Sequence, residues 1–257
     1  GGTINAAGKT VNLSGGTATI NSDFSIGTLN MSGGATLTGT GNTTVNSAFN
    51  WDTTASLGFL SGTGIFTTTG ASTLSGAGVN SHRLEGQVWN NTGTASLTGG
   101  HFSLNNGATF NNSNTFNVTT SSAIGVDSNG SGTNTFNNSG TVNWNTPGTA
   151  GISVVNAFNN SGSVNVNGGT MNIAVGGTDT NGVYAVTSPA ILQFSAGTRA
   201  LSGTSNVSGT GQAHYTGGTV NINGGSYGIG SSGTTTIAGG TLNFNSPAML
   251  SGTLNLS

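Results

Sequence analysis

Short alternations of apolar and polar residues recur from one end of the chain to the other. Thr10-Val11-Asn12-Leu13, Thr28-Leu29-Asn30-Met31, Thr141-Val142-Asn143-Trp144, Ser163-Val164-Asn165-Val166, Thr219-Val220-Asn221-Ile222 and Thr241-Leu242-Asn243-Phe244 share one pattern. A period of two places the apolar side chains on one face of a strand and Thr and Asn on the other. Gly-Gly, Ser-Gly or Asn-Gly bounds these runs and supplies the positive φ of tight turns. The pattern predicts many short strands, each buried on one face.

A longer period overlies the short one. An aromatic residue followed by two asparagines occurs at Trp89-Asn90-Asn91, Phe110-Asn111-Asn112, Phe136-Asn137-Asn138 and Phe158-Asn159-Asn160, in steps of 21, 26 and 22 residues. A step of about 22 residues fits three short strands and three turns, one coil of a parallel β-helix. The expected fold is therefore all-β, a right-handed parallel β-helix of roughly 11–12 coils, with the hand taken from the crossover preference of parallel strands. Residues 1–257 would form one β-solenoid domain. Trp89, Phe110, Phe136 and Phe158 are expected to stack inside as a ladder, and Asn90, Asn111, Asn137 and Asn159 to stack as a hydrogen-bonded amide ladder at equivalent turns. A sandwich or propeller would show longer strands and one pattern per hairpin.

Composition sharpens this picture. The 257 residues include 47 Gly, and only 3% are charged. In-register stacking sets equivalent positions about 4.8 Å apart, where like charges repel, so sparse charge suits a solenoid. The 3 Lys and Arg residues cannot form a phosphate-tracking surface, so nucleic acid is not an expected partner. No apolar run approaches the roughly 20 residues of a membrane helix, so no membrane insertion by this segment is expected. With 0 Cys, disulfides and thiolate metal sites are absent. No cofactor is expected. The chain opens and closes within repeat-like sequence and reads as a processed subunit or a segment of a longer protein.

Candidate chemistry is thin. Ser81-His82-Arg83-Leu84-Glu85 holds a His, a base and the only Glu, and His101 lies 19 residues on, near one coil. The plain reading is a loop in which Arg83 and Glu85 cap an irregular turn; the sharper one is a sugar-binding or hydrolytic patch beside Trp89. The five acids are separated by 29, 33, 42 and 52 residues, none close to one coil, although 42 approaches two. Paired-carboxylate hydrolysis is thus not expected, and the chain is read as non-enzymatic. Asp127 and Asp179 look solvated in turns. Trp51, Trp89, Trp144 and Tyr215 would serve as platforms for glycans if exposed, and as core if buried. Thr-x-Thr occurs at irregular steps, starting at Thr17 and Thr36 among others, which weakens an ice-binding face.

The stretches HRLEGQVWNNTGTASLTGG, FNNSGTVNW, FNNSGSVNVNGGTMNI and LSGTSNVSGTGQAHYTGGTVNINGG resemble the repeats of bacterial surface β-helix proteins, the autotransporter and filamentous-haemagglutinin-like giant adhesins. The resemblance covers most of the chain and carries no catalytic residues. It implies export to the extracellular space or outer cell surface and a structural role as filament or sheath subunit or adhesin stalk. The alternative is a carbohydrate- or ice-binding adhesin module. Expected partners are further copies in a head-to-tail homopolymer, the remainder of a larger surface protein, or glycans. Sparse charge also implies tolerance of salt and pH.

Overall fold

A computed structural model describes residues 4–77, 81–153, 156–248 and 250–257. Among these, every strand pairing is parallel, no helix occurs, and the strands stack as a β-solenoid of about eleven turns. At about 4.8 Å per turn the rod is about 53 Å long. The all-parallel pairing excludes the sandwich and the propeller, both built from hairpins.

Each turn contributes a strand to three faces. The first face runs through Ile65–Thr68, Val88–Asn91, Thr109–Asn112, Thr135–Asn138 and Ala157–Asn160. The second runs through Ala71–Ser75, Thr94–Leu97 and Thr115–Val118, the third through Gly58–Ser61, Ser81–Glu85 and His101–Asn105. The longest strands, such as Thr141–Ser153 and Ser163–Ile173, bend across a corner and serve the second and third faces together.

Alternation does the folding work. In Thr109–Asn112 and Thr135–Asn138 the first and third side chains are half-buried and the second and fourth buried. The interior receives Phe110, Phe116, Phe136, Val142, Phe158 and their equivalents in one continuous core. Turns are tight because successive turns touch: Gly218 has φ 68°, and a Cβ there would collide with the Gly197 carbonyl of the turn below.

The first face is not continuous. The described strands form a 26-stranded sheet and a separate four-stranded sheet of Gly177–Thr180, Thr198–Ser202, Thr219–Ile222 and Thr241–Phe244. The break falls between Ala157–Asn160 and Gly177–Thr180.

Candidate functional site

The aromatic column is tightly stacked. Trp89, Phe110, Phe136 and Phe158 occupy equivalent positions, with ring centroids 4.9, 5.1 and 4.9 Å apart. Such pairs contribute roughly 0.5–1.5 kcal/mol each beyond their area burial. Trp51, Trp144 and Tyr215 are buried as well. All four proposed platforms thus lie inside, where no glycan can stack on them.

The asparagines form two ladders. Asn90, Asn111, Asn137 and Asn159 face outward from strands, not turns. Asn111 Nδ2 donates to Asn90 Oδ1, Asn137 to Asn111 and Asn159 to Asn137, each at 2.9 Å. The second asparagine of each pair, which the sequence reading passed over, points inward. Asn91 donates to Asn112 at 2.8 Å, Asn112 to Asn138 at 2.7 Å and Asn138 to Asn160 at 2.8 Å. The two ladders therefore run in opposite directions. The signal was the Asn-Asn dipeptide itself, because adjacent strand residues must face opposite sides.

The Ser81–Glu85 segment is a strand, which corrects the irregular-turn reading. His82 and Leu84 point inward; Ser81, Arg83 and Glu85 belong to the outward row. His82 lies against the Trp51 indole, with centroids 5.2 Å apart. Its Nδ1 is 3.1 Å from the His101 carbonyl, and its Nε2 3.0 Å from the Ser75 carbonyl and 3.1 Å from the Trp51 carbonyl. Burial pushes its pKa down against the pull of those carbonyls.

Arg83 and Glu85 do not pair with each other. Arg83 Nε donates to Ser81 Oγ at 3.1 Å, and its guanidinium lies 5.8 Å from the Phe59 ring centroid. Glu85 accepts from Asn105 Nδ2 at 3.1 Å and Asn106 Nδ2 at 2.6 Å. On the adjacent turns, His101 Nε2 stands 3.7 Å from Asp127 Oδ2, and Asn129 Nδ2 donates to the same oxygen at 2.9 Å. Burial lowers the His101 pKa; Asp127 opposes that shift and Arg83 adds to it. Asp127 is buried rather than solvated, because the chain after Val126–Asp127 folds over the outward row.

The third face thus gathers Arg83, Glu85, His101 and Asp127 in a chain that otherwise avoids charge. Register places Arg83, Ser103 and Asp127 on successive strands. Glu85 and Asp127 therefore share a face two turns apart, which puts their backbones roughly 12 Å from each other from strand spacing and rise. Each carboxylate is held by amide donors rather than by the other. No group of three metal-ligating side chains occurs among the described residues. Of this row only Arg83 and Glu85 are half-buried and reach the surface; His101 and Asp127 are buried.

Asp179, like Asp127, is buried rather than solvated. It lies at the break between the two sheets, fully buried and paired with Arg199. Arg199 Nη1 contacts both carboxylate oxygens at 2.7 Å and Tyr184 Oη at 3.1 Å, while Nη2 donates to the Phe158 carbonyl at 2.9 Å. The guanidinium stands 5.3 Å from the Phe158 ring centroid, above the end of the aromatic column. Gly177 leaves room for it, since a Cβ there would press on the Phe158 carbonyl and on Nη2. Burial pushes the Asp179 carboxyl up, against the pull of Arg199, Tyr184 and the Asn160 amide. The 20-residue step from Asp179 to Arg199, close to one coil, was the available signal.

Thr-x-Thr does not form a column. Thr17 and Thr19 pair with Thr36 and Thr38, and the next strand presents Phe59 opposite Thr36. The chain matches no protein-family model, no curated protein and no solved structure.

Proposed function

We propose that this chain is a non-enzymatic structural element of a bacterial surface or extracellular matrix. It would be a secreted β-solenoid rod serving as filament or sheath subunit or as an adhesin stalk. One observation carries the reading: the core column does not taper at the last turn. Leu254 and Leu256 continue inward positions occupied below by Thr235 and Ile237, and before them by buried Ala213 and Tyr215, yet they are 43% and 72% exposed. An open sheet end with uncovered apolar positions calls for another turn, from the same polypeptide or from another copy. The charged groups support the same reading, since Glu85 is held by two asparagine amides, Asp179 by the Arg199 guanidinium and Asp127 Oδ2 by Asn129.

A second reading, a glycan-binding module, rests on the outward Arg83–Glu85–His101–Asp127 row. Electron microscopy of untagged native material, followed by a glycan screen, separates the two. Rods or fibres with a ~4.8 Å axial repeat and no glycan binding support the scaffold. Saturable glycan binding lost in Arg83→Ala moves the assignment to the module.

A further inference from the structure

Asn followed by Gly occurs at Asn106-Gly107, Asn129-Gly130, Asn167-Gly168, Asn181-Gly182 and Asn223-Gly224. This dipeptide carries its own reaction. The Gly backbone nitrogen attacks Cγ of the Asn side chain, and no side chain on the Gly obstructs the approach. A C–N bond forms, the Cγ–Nδ2 bond breaks, and ammonia leaves with the proton that the Gly nitrogen gives up. Water then opens the cyclic imide at either carbonyl and leaves an aspartyl or isoaspartyl residue. Net, one water is consumed, one ammonia is released and a neutral amide becomes a carboxylate.

The fold treats these sites unequally. The Gly107 N–H donates to Asn134 Oδ1 at 2.8 Å and the Gly182 N–H to Ser205 Oγ at 3.0 Å, which ties up the nucleophile. Asn167 and Gly168 lie inside the strand Ser163–Ile173. The N–H groups of Gly130 and Gly224 have no partner among the described residues. At Asn223 a conversion changes little, because its Oδ1 accepts from Asn245 and a carboxylate would go on accepting. At Asn129 it changes the contact itself. Asn129 is exposed, and its Nδ2 donates to Asp127 Oδ2 at 2.9 Å. An acid product loses that donor and sets one carboxylate against another. The isoaspartyl form also adds a carbon to the main chain next to Gly130, where a Cβ would already come within 2.8 Å of Asn105 Cβ.

Asn129 belongs to the segment that covers the third face. Its N–H donates to Asn105 Oδ1 at 2.9 Å, and Ser131 Oγ donates to Asn106 Oδ1 at 3.4 Å. Beneath residues 128–134, the outward His101, Ser103, Asn105 and Asp127 are buried, whereas Arg83 and Glu85 on the neighbouring strand are half-buried. The cover leaves His101 Nδ1 and Asp127 Oδ1 buried without a hydrogen-bond partner, a cost that lifting the segment relieves.

We propose that Asn129-Gly130 is a self-modification site, where imide formation and hydrolysis replace the amide by a carboxylate and release residues 128–134 from the row of His101, Ser103 and Asp127. The change needs no enzyme and runs one way. It goes beyond the scaffold reading and does not depend on assembly of the rods.

A Ser103→Cys chain aged in mildly alkaline buffer tests both halves. The sequence has 0 Cys, so this thiol is a single reporter beneath the segment. Mass spectrometry of peptic peptides should show amide-to-acid exchange at Asn129, with label incorporated from heavy-oxygen water, while Asn106, Asn167 and Asn181 keep their amides. Alkylation of the thiol should be absent in fresh protein and grow in step with that conversion. Adding Asn129→Asp should make the thiol reactive from the start. Adding Asn129→Gln, whose longer side chain closes an imide far more slowly, should keep it protected. Conversion at Asn106 or Asn181 that keeps pace with Asn129 overturns the site. A converted chain whose thiol stays unreactive overturns the release. If the thiol reacts in fresh protein, hydrogen exchange of residues 128–134 in the unsubstituted chain before and after ageing takes its place: faster exchange supports the release, and unchanged exchange overturns it.

Discussion

Arg199 grips both carboxylate oxygens of Asp179 at 2.7 Å, in full burial, at the one place where the first face breaks into two sheets. The buried asparagine ladder ends there too, and the backbone N–H of its last member, Asn160, donates to Asp179 Oδ1 at 3.0 Å. A charged pair replaces the amide ladder where strand-to-strand pairing is interrupted.

Removing one member of that pair leaves a buried charge without compensation. Arg199→Met alone should cost about 3–5 kcal/mol, whereas Asp179→Leu combined with Arg199→Met should cost much less, because the desolvation penalty disappears with both charges. Urea unfolding followed by circular dichroism reads the difference. A double variant no more stable than Arg199→Met would show that the pair acts through shape rather than charge.

The two asparagine ladders should respond unequally to truncation. Asn112→Ala removes one of the two acceptors of Asn91 Nδ2, which keeps the Thr115 carbonyl, and leaves the buried Asn138 Oδ1 without its donor, at about 1–3 kcal/mol for each unsatisfied group. Asn111→Ala faces solvent, which takes over its contacts, and should cost below about 1 kcal/mol. Equal unfolding midpoints for the two variants would contradict the inward placement of Asn112.

Tryptophan emission should report an interior environment. Trp51, Trp89 and Trp144 are at most 1% exposed, so the native spectrum should be blue-shifted and poorly quenched by acrylamide. Addition of any bound glycan should leave it unchanged. Strong quenching in the folded state would return these residues to the surface.

The parts of this fold that were legible in the sequence are those that repeat. Thr-Val-Asn-Ile at 219–222 and Thr-Leu-Asn-Phe at 241–244 announce strand, face and stacking partner together, since in-register pairing sets like on like. Trp89 and Phe110 announce the interior column for the same reason. What escaped were features that occur once. Asp179 and Arg199 have no copies in neighbouring turns, so period alone could not move them inward. Asp127 owes its burial to a local excursion of the chain. Arg83 and Glu85, read as a pair by proximity, sit on the same side of one strand and turn to Ser81 and to Asn105 and Asn106 instead.

Sparse charge suggested broad pH tolerance, but the few titrating groups are not neutral bystanders. His82, His101 and His214 are all shifted below the ordinary imidazole value, in each case chiefly by burial. The unfolded chain then takes up protons first as pH falls through about 6.5, and the native state follows only lower down. Between those points the unfolded state binds more protons, so stability falls with falling pH. His82 should dominate because it is fully buried, and protonation places an imidazolium against the Trp51 ring edge and core. The melting temperature should therefore drop between about pH 7 and pH 5, and His82→Phe should flatten that slope even if it lowers stability throughout. Asp179 works in the opposite sense, because its carboxyl is raised by burial, and it is common to parent and variant, so the comparison isolates the histidine. Thermal melts across this range give the answer directly: a slope unchanged in His82→Phe, or melting that rises on acidification, would refute this account of His82.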